Sequence, residues 1–174
     1  MITLQRITSE YIESEDRIRL TATTDAEETL ILWITQRLLI RLLGHFLNWL
    51  EKEAPEVARS SVIHNEANTA LQEMAQQSAA ANLKEQPAVT PTLNSAALLV
   101  NEIDIKMGEE AVQLVFKCND GQNAALGFTI QQLRQWLRMI HSLWLQAEWP
   151  VSIWPDWMDD NQQVTSAAPE SSVH

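Results

Sequence analysis

The sequence predicts an α+β fold made of two βββα units, each an antiparallel three-stranded meander followed by an amphipathic helix. In two stretches of the chain, apolar residues first alternate with polar ones, as in a strand, and then recur at helical spacing. The period changes at Thr35 in the first stretch and at Thr129 in the second. Shifting the chain by 94 residues places the first stretch on the second without a gap, so we interpret the two units as a pseudo-repeat.

The second unit has the clearest local signals. Alternating apolar residues predict three strands within 103–128, and Asp120-Gly121 is typical of a hairpin turn between two of them. Thr129 followed by Gln132 has the form of a capping box, which predicts that a helix begins there. Apolar residues then recur at the spacing expected for one buried helix face.

The first unit repeats this pattern with weaker strand signals. Strands are predicted near 2–12, 17–23 and 28–34, and a helix is predicted over about 36–53, with Pro55 just beyond its end. Each meander has one apolar face that needs cover, which the following helix supplies by folding back. The two units either join edge to edge into a larger sheet or pack through their helices, and the sequence leaves both arrangements open.

The composition divides the chain into four segments. Residues 1–54 form the first unit, and residues 97–150 form the second. Residues 55–96 form an Ala/Gln-rich connector with a weakly amphipathic helix, and residues 151–174 form a Trp-rich and then acidic tail that we expect to be mobile. The apolar face predicted for the connector helix consists of Ile63, Ala67, Ala70, Leu71 and Met74.

Charge and composition argue against several classes of function. The chain of 174 residues carries a formal net charge of −11, which repels nucleic-acid backbones and anionic membranes. The longest apolar-rich run, 30–50, is broken by a stripe of polar residues, so it predicts an amphipathic helix rather than a membrane span. Cys118 is the single cysteine, and no secretory signal is visible. We therefore expect a cytoplasmic protein that binds neither nucleic acid nor membranes.

Sequence motifs for catalysis and metal binding are absent. The histidines have no His or Cys partner at metal-ligand spacing, and neither GxSxG nor a Gly-rich phosphate loop occurs. The acidic residues of the predicted turns lack the spacing of an EF-hand. We therefore expect no catalytic residue, no metal and no cofactor, and hence a protein that is not an enzyme.

Candidate partner-binding residues come from a difference between the two units. At equivalent positions the first unit carries large apolar residues where the second carries small or polar ones, and surplus apolar surface of this kind marks interfaces. The Trp residues of the tail are a second candidate, because aromatic residues dominate interaction hot spots. The predicted partner-binding residues are Ile31, Trp33, Leu38, Leu47, Trp154 and Trp157. Alternatively, both groups of residues pack inside the chain, or the surplus apolar surface of the first unit is the interface of a homodimer.

Together these features predict a non-catalytic intracellular protein-interaction module, such as an adaptor, an assembly factor or a small acidic chaperone. Its partner would be another protein. The alternative is a small-molecule sensor or an enzyme with a pocket between the two units. An acidic decoy for a nucleic-acid-binding protein is a third possibility, which the net charge alone supports.

Overall fold

A computed structural model of the protein describes residues 1–53 and 62–159. The strands are β1 (Ile2–Ile12), β2 (Arg17–Thr24), β3 (Thr29–Thr35), β4 (Ala96–Met107), β5 (Ala111–Cys118) and β6 (Asn123–Thr129). The helices are α1 (Gln36–Lys52), α2 (Val62–Ala81) and α3 (Ile130–Gln146), and short 3-10 segments lie at Glu13–Glu15, Val151–Ile153 and Asp156–Met158. No described helix is long and apolar enough to cross a membrane.

All six strands belong to one closed barrel, in the order β1-β2-β3-β4-β5-β6. The predicted fold class, two βββα units with antiparallel meanders, is therefore wrong, because the fold is a single mixed barrel. β3 pairs with β4 in parallel and β1 pairs with β6 in parallel, so the two three-stranded groups meet at both edges. Alternation of apolar residues indicates which face of a strand is buried but not which edges pair, and closure satisfies backbone groups that free edges would leave exposed.

The two parallel junctions lie at equivalent positions in the chain. The β1–β6 junction begins at Ile2 and Ala124, and the β3–β4 junction begins at Ala96 and Leu30. Ala96 follows Ile2 by 94 residues, and Ala124 follows Leu30 by the same number. Both junctions end after a few residue pairs, and the strands then separate.

Local hydrogen bonds determine where the two barrel-covering helices begin. The predicted capping box is confirmed, since Gln132 N donates to Thr129 Oγ1 at 3.2 Å and Thr129 N donates to Gln132 Oε1 at 2.9 Å. Thr35 caps α1 more simply, because its Oγ1 accepts from Leu38 N at 3.3 Å. A cap of this kind contributes about 1 kcal/mol, so the change from strand to helix has a local cause at both positions.

The barrel interior and the inner faces of α1 and α3 form one continuous core. Its most deeply buried side chains are Ile18, Leu20, Leu32, Ile34, Leu114 and Phe116 from the strands, with Leu39, Leu43, Phe46, Leu133, Leu137 and Trp144 from the helices. The segment after α3 adds Trp149, Trp154, Trp157 and Met158 to the same core. Residues 160–174, the greater part of the predicted mobile tail, lie outside the described residues.

The connector helix α2 packs through polar residues rather than through its predicted apolar face. Four residues of that face are exposed, namely Ala67, Ala70, Leu71 and Met74, and the side chain of Ile63 lies outside the description. Gln72 and Gln76 are buried instead: Gln76 Nε2 donates to the Arg134 carbonyl at 2.8 Å, and the Arg134 guanidinium donates to Gln72 Oε1 at 2.7 Å. The predicted face is wrong because long amides satisfy buried polar groups of α3 that apolar side chains would leave without partners.

Candidate functional site

The barrel wall has two gaps, one beside each parallel junction. β1 leaves β6 after Leu4 and β4 leaves β3 after Leu99, although both strands remain paired on their other side. A register shift follows in each strand, between Leu4 and Arg6 in β1 and between Val100 and Glu102 in β4. Bulges of this kind bend a strand and increase its twist, so each strand turns away from its former neighbour.

A helix packs over each gap at equivalent positions. α3 lines the first gap with Gln132, Gln135, Trp136 and Met139. α1 lines the second gap with Leu38, Arg41, Leu42 and His45. Each of these α3 residues follows its α1 counterpart by 94 positions, so the two gaps are versions of one feature. We name the first gap, between α3 and residues 5–9, the β1 cavity, and the second, between α1 and residues 101–107, the β4 groove.

The connector covers the β1 cavity. Residues 83–88 form one wall of the cavity, and residues 126–128 of β6 form another. Just beyond the first wall, Val89 is buried, and its N–H donates to Thr8 Oγ1 of β1 at 2.7 Å. The cavity has a volume of about 460 Å³, which falls in the range of small-molecule sites in proteins.

Inside the β1 cavity, a rigid aromatic pair is accompanied by a cation without a partner. Phe128 and Trp136 stack with ring centroids 5.6 Å apart, and Trp136 Nε1 donates to Ser9 Oγ at 3.1 Å. Arg6 lines the same cavity, and its buried Nε has no hydrogen-bond acceptor among the described residues. Gly127 also lines it, and a Cβ atom at this position would meet no atom within 4 Å. The cavity therefore has room for a further group beside a free guanidinium.

The β4 groove is larger than the β1 cavity and is not covered by the described part of the connector. Its volume is about 760 Å³, and its described lining comes from α1 and β4 alone. The apolar part of the lining consists of Leu38, Leu42, Ile103, Ile105 and Met107. The connector therefore forms a wall at one gap, and no described residue of it lies at the other.

The backbone of β4 presents free hydrogen-bonding groups at this groove. Gly108 N donates to the Ala111 carbonyl at 2.8 Å, so these residues form a hydrogen-bonded pair at the end of the β4–β5 hairpin. Bonded pairs alternate along an antiparallel ladder, so the N–H and C=O groups of Ile103 and Ile105 point away from β5. The described residues provide no strand partner on that side beyond the β3–β4 junction, so this stretch of β4 is a free edge.

The charged side chains at the β4 groove leave positive charge without a partner. Lys117 of β5 binds both carboxylates of β4, with 2.9 Å to Glu102 and 3.0 Å to Asp104, and these hydrogen bonds raise the pKa of Lys117. Arg41 and Lys106 line the groove and form no ion pair with any described residue. A bound group would therefore meet two free cations, although the chain as a whole carries a charge of −11.

The predicted partner-binding residues of the first unit lie in three places. Ile31 and Trp33 are half-buried and alternate with the buried residues of β3, so they lie on the outer face of the barrel. Leu38 is half-buried and lines the β4 groove. Leu47 lies on the inner face of α1 and is buried in the core. Of these residues, only Leu38 lies at one of the two gaps.

The predicted Trp residues of the tail are buried inside the chain. Trp154 packs edge-on against Trp144, with ring centroids 5.8 Å apart. Trp157 Nε1 donates to Glu51 Oε1 of α1 at 3.2 Å, and the guanidinium of Arg134 lies 5.8 Å from the centre of its ring. These contacts tie the end of α1 to α3, so neither Trp is accessible to a partner in this arrangement.

The reactive groups of the described residues are dispersed. No group of three or more His, Cys, Asp or Glu side chains among them could hold a metal ion. Cys118 is buried, and burial raises the pKa of its thiol, with a smaller contribution from Asp120. The thiol is therefore protonated at neutral pH, and a thiol is a weaker nucleophile and metal ligand than a thiolate.

Arg6 and the free edge of β4 are the site features that sequence reasoning missed. The 94-residue shift was a signal for the equivalence of the two lining helices, because it places Arg41 on Gln135 and Leu42 on Trp136, and these residues line the two gaps. The shift does not reveal where strands separate, however. That separation depends on pairings between strands that are far apart in the chain.

Comparison of the chain with models of protein families, with curated proteins and with solved structures finds no match. The two gaps are therefore interpreted from their own geometry and chemistry. The β4 groove offers free backbone groups and two cations, whereas the β1 cavity is walled on one side by residues 83–88 and contains Arg6.

Proposed function

We propose that the protein is a non-catalytic protein-interaction module of the cytoplasm, and that it holds an extended segment of a partner protein in the β4 groove. The observation that carries this proposal is the free edge of β4 at Ile103 and Ile105, beside an open and partly apolar groove. Adaptor, assembly factor and small acidic chaperone are versions of this function. They differ in what becomes of the partner rather than in how it is held.

Strand addition is the mode of binding that this edge favours. An extended segment can form hydrogen bonds with the outward N–H and C=O groups of Ile103 and Ile105, and so become a further strand beside β4. Its alternate side chains would then contact Leu38 and Leu42 of α1. In this mode the backbone hydrogen bonds supply affinity, and the side-chain contacts supply specificity.

The connector supports occupation of this gap by an extended segment, because it lies over a gap of the same kind, where its hydrogen bond to β1 is made with the Thr8 side chain. In the equivalent β1 cavity, residues 83–88 lie beside β1, and Val89 N–H is bonded to Thr8. The chain has one connector between its two three-stranded groups, and no described part of it lines the β4 groove. An extended segment from another protein would occupy the corresponding position there.

The charges at the groove narrow the choice of segment. Arg41 lies on the helix side and Lys106 on the strand side, and neither has an ion-pair partner among the described residues. Complementary charge contributes more to specificity and association rate than to affinity. The preferred segment therefore has alternating apolar residues and at least one acidic residue.

Selection of displayed random peptides against the whole chain tests this proposal. Ile105→Pro removes an outward N–H donor from β4, and proline is tolerated on an edge strand when its nitrogen faces solvent. The matched control, Ile105→Ala, loses the side chain but keeps the N–H. We expect Ile105→Pro to bind the selected peptides about tenfold or more weakly than Ile105→Ala, because one backbone hydrogen bond is worth about 1 kcal/mol and its neighbours are also disturbed.

Circular dichroism and thermal unfolding of both variants show whether the barrel is retained. Equal binding of the peptides to the two folded variants would overturn strand addition at β4. A chain that is dimeric in size-exclusion chromatography, and monomeric after Ile105→Pro, would identify a second copy as the occupant and replace the separate partner.

A further inference from the structure

The β1 cavity has no part in the proposed protein interaction, since it shares no lining residue with the β4 groove. We propose that this cavity binds a small organic monocarboxylate with a flat apolar body. Its carboxylate would pair with Arg6, and its body would lie against Leu83 and Met139, which line the cavity.

Arg6 supplies the anion-binding group. Its Nε is buried without an acceptor, and Arg6 forms no ion pair with any described residue. Arg19 of β2 also has a buried Nε without an acceptor, but its guanidinium is paired with Glu10 at 2.9 Å. A guanidinium can donate two parallel hydrogen bonds to one carboxylate. A carboxylate bound at the terminal nitrogens of Arg6 would therefore provide the missing counter-charge.

The apolar lining favours a flat body rather than a simple inorganic anion. Leu83 and Met139 are large apolar residues that remain 42% and 41% exposed, and both line the cavity. Phe128 and Trp136 line the same cavity and are buried in the core, and the hydrogen bond from Trp136 to Ser9 holds the indole ring. A planar apolar group of one or two rings would cover the exposed side chains, and about 460 Å³ is sufficient space for it.

The ionisable side chains around the cavity favour a single negative charge on the ligand. The lining contains Arg6, Lys84 and Glu85 as its ionisable residues, and adjacent Lys84 and Glu85 have opposite charges. The lining as a whole therefore has the charge of one guanidinium. A dianion would leave one charge uncompensated in a protein whose net charge is already −11.

Isothermal titration calorimetry of the whole chain with benzoate, indole-3-acetate and 1-naphthoate, each beside its primary amide, tests this inference. We expect at least one acid to bind saturably and its amide to bind about tenfold or more weakly, because the amide lacks the charge-assisted hydrogen bonds. Arg6→Gln should weaken binding of that acid by a similar factor and leave binding of the amide unchanged. Arg37→Gln, an exposed site on α1, removes the same charge elsewhere and is the matched control.

Two outcomes would overturn the inference. One is equal binding of an acid to Arg6→Gln and Arg37→Gln. The other is no saturable binding of any of the three acids at about 5 mM, a concentration that would largely fill a site with a Kd of about 1 mM. If Arg6→Gln fails to fold, Gly127→Leu replaces it, because a side chain at Gly127 has space and lies at the cavity. Acid binding that survives Gly127→Leu at full strength would also overturn the inference.

Discussion

The two gaps of the barrel wall begin with the same geometry and differ in what covers them. Each lies where a strand leaves a parallel junction, and each is lined by a Thr-capped helix at positions 94 residues apart. Residues 83–88 cover the β1 cavity, whereas no described connector residue lines the β4 groove. The chain has one connector between its two similar three-stranded groups, and the described part of that connector lies at one of the two equivalent gaps. The difference between the gaps among the described residues therefore comes from the path of the connector.

Side chains reinforce this difference. In the β1 cavity, Trp136 fills the position that Leu42 occupies in the β4 groove, and its ring is held by Ser9 and Phe128. In the β4 groove, Arg41 occupies the position of Gln135, whose amide donates to the Ala79 carbonyl at 2.8 Å. Both gaps contain a cation without an ion-pair partner among the described residues, but only the helix that lines the β1 cavity is hydrogen-bonded to the connector there.

The largest expected effect concerns the segment that follows α3. Trp154 and Trp157 of this segment are buried against α3 and the end of α1. Changing both Trp residues to Ala should lower the free energy of unfolding by at least about 5 kcal/mol, since one buried Trp contributes about 3–5 kcal/mol. Val151→Ala, at a 54% exposed position in the same segment, is the control and should unfold like the native chain. A double variant with native thermal stability would instead favour a partner surface at these Trp residues.

Truncation of the two equivalent lining residues compares the packing of the gaps directly. Trp136→Ala should cost about 3–5 kcal/mol of unfolding free energy, and Leu42→Ala should cost less, within the usual range of about 2–5 kcal/mol. The difference is expected because the change of Trp136 to Ala removes the ring stacking with Phe128 and the hydrogen bond to Ser9 in addition to buried apolar area. Urea denaturation measures both values, and equal losses would mean that the two gaps are packed alike.

A smaller effect is expected from loosening the connector. Thr8→Val removes the acceptor of Val89 N–H, and an unsatisfied buried donor costs about 1–3 kcal/mol. Hydrogen exchange at Val89 should then accelerate, while exchange in the core strands stays unchanged. By strand pairing, Asp104 of β4 corresponds to Thr8 of β1. Thr8 pairs with Thr21 of β2 and Asp104 pairs with Val115 of β5, and Val115 follows Thr21 by 94 residues. Asp104→Asn should leave exchange at Val89 unaffected, and an equal response to both substitutions would break the comparison.

The smallest effect is a pH dependence of stability that arises at Lys117. The equivalent residue 94 positions earlier is the uncharged Thr23, so the first half of the chain lacks this contribution. Hydrogen bonds to Glu102 and then to Asp104 raise the pKa of Lys117 above its usual 10.5. Because the folded-state pKa is raised, the stabilisation is complete below about pH 10.5 and is lost as the pH rises through the folded-state value. Above that pH, the unfolding temperature of the native chain should therefore fall more steeply with pH than the unfolding temperature of Lys117→Gln. Parallel curves would show that the exposed ion pairs contribute nothing measurable.

The candidate site could be predicted only in part, for a physical reason that particular residues illustrate. Leu38 was identified as apolar surplus, and it lines the β4 groove. Arg6 was missed because its significance depends on the absence of an acceptor around it in space. The proposed docking role of Trp157 rested on composition, whereas its actual surroundings are Glu51 and Arg134 from distant parts of the chain.

The sequence by itself determined the faces of the strands, the helix starts at Thr35 and Thr129, and the 94-residue correspondence between the two halves. These features depend on side-chain alternation and on hydrogen bonds between residues three positions apart. Only the tertiary structure decided that the strands close into one barrel and that the connector covers one gap. Those features depend on contacts between residues far apart in the chain, such as Val89 with Thr8 and Trp136 with Ser9, and local periodicity has no means of specifying them.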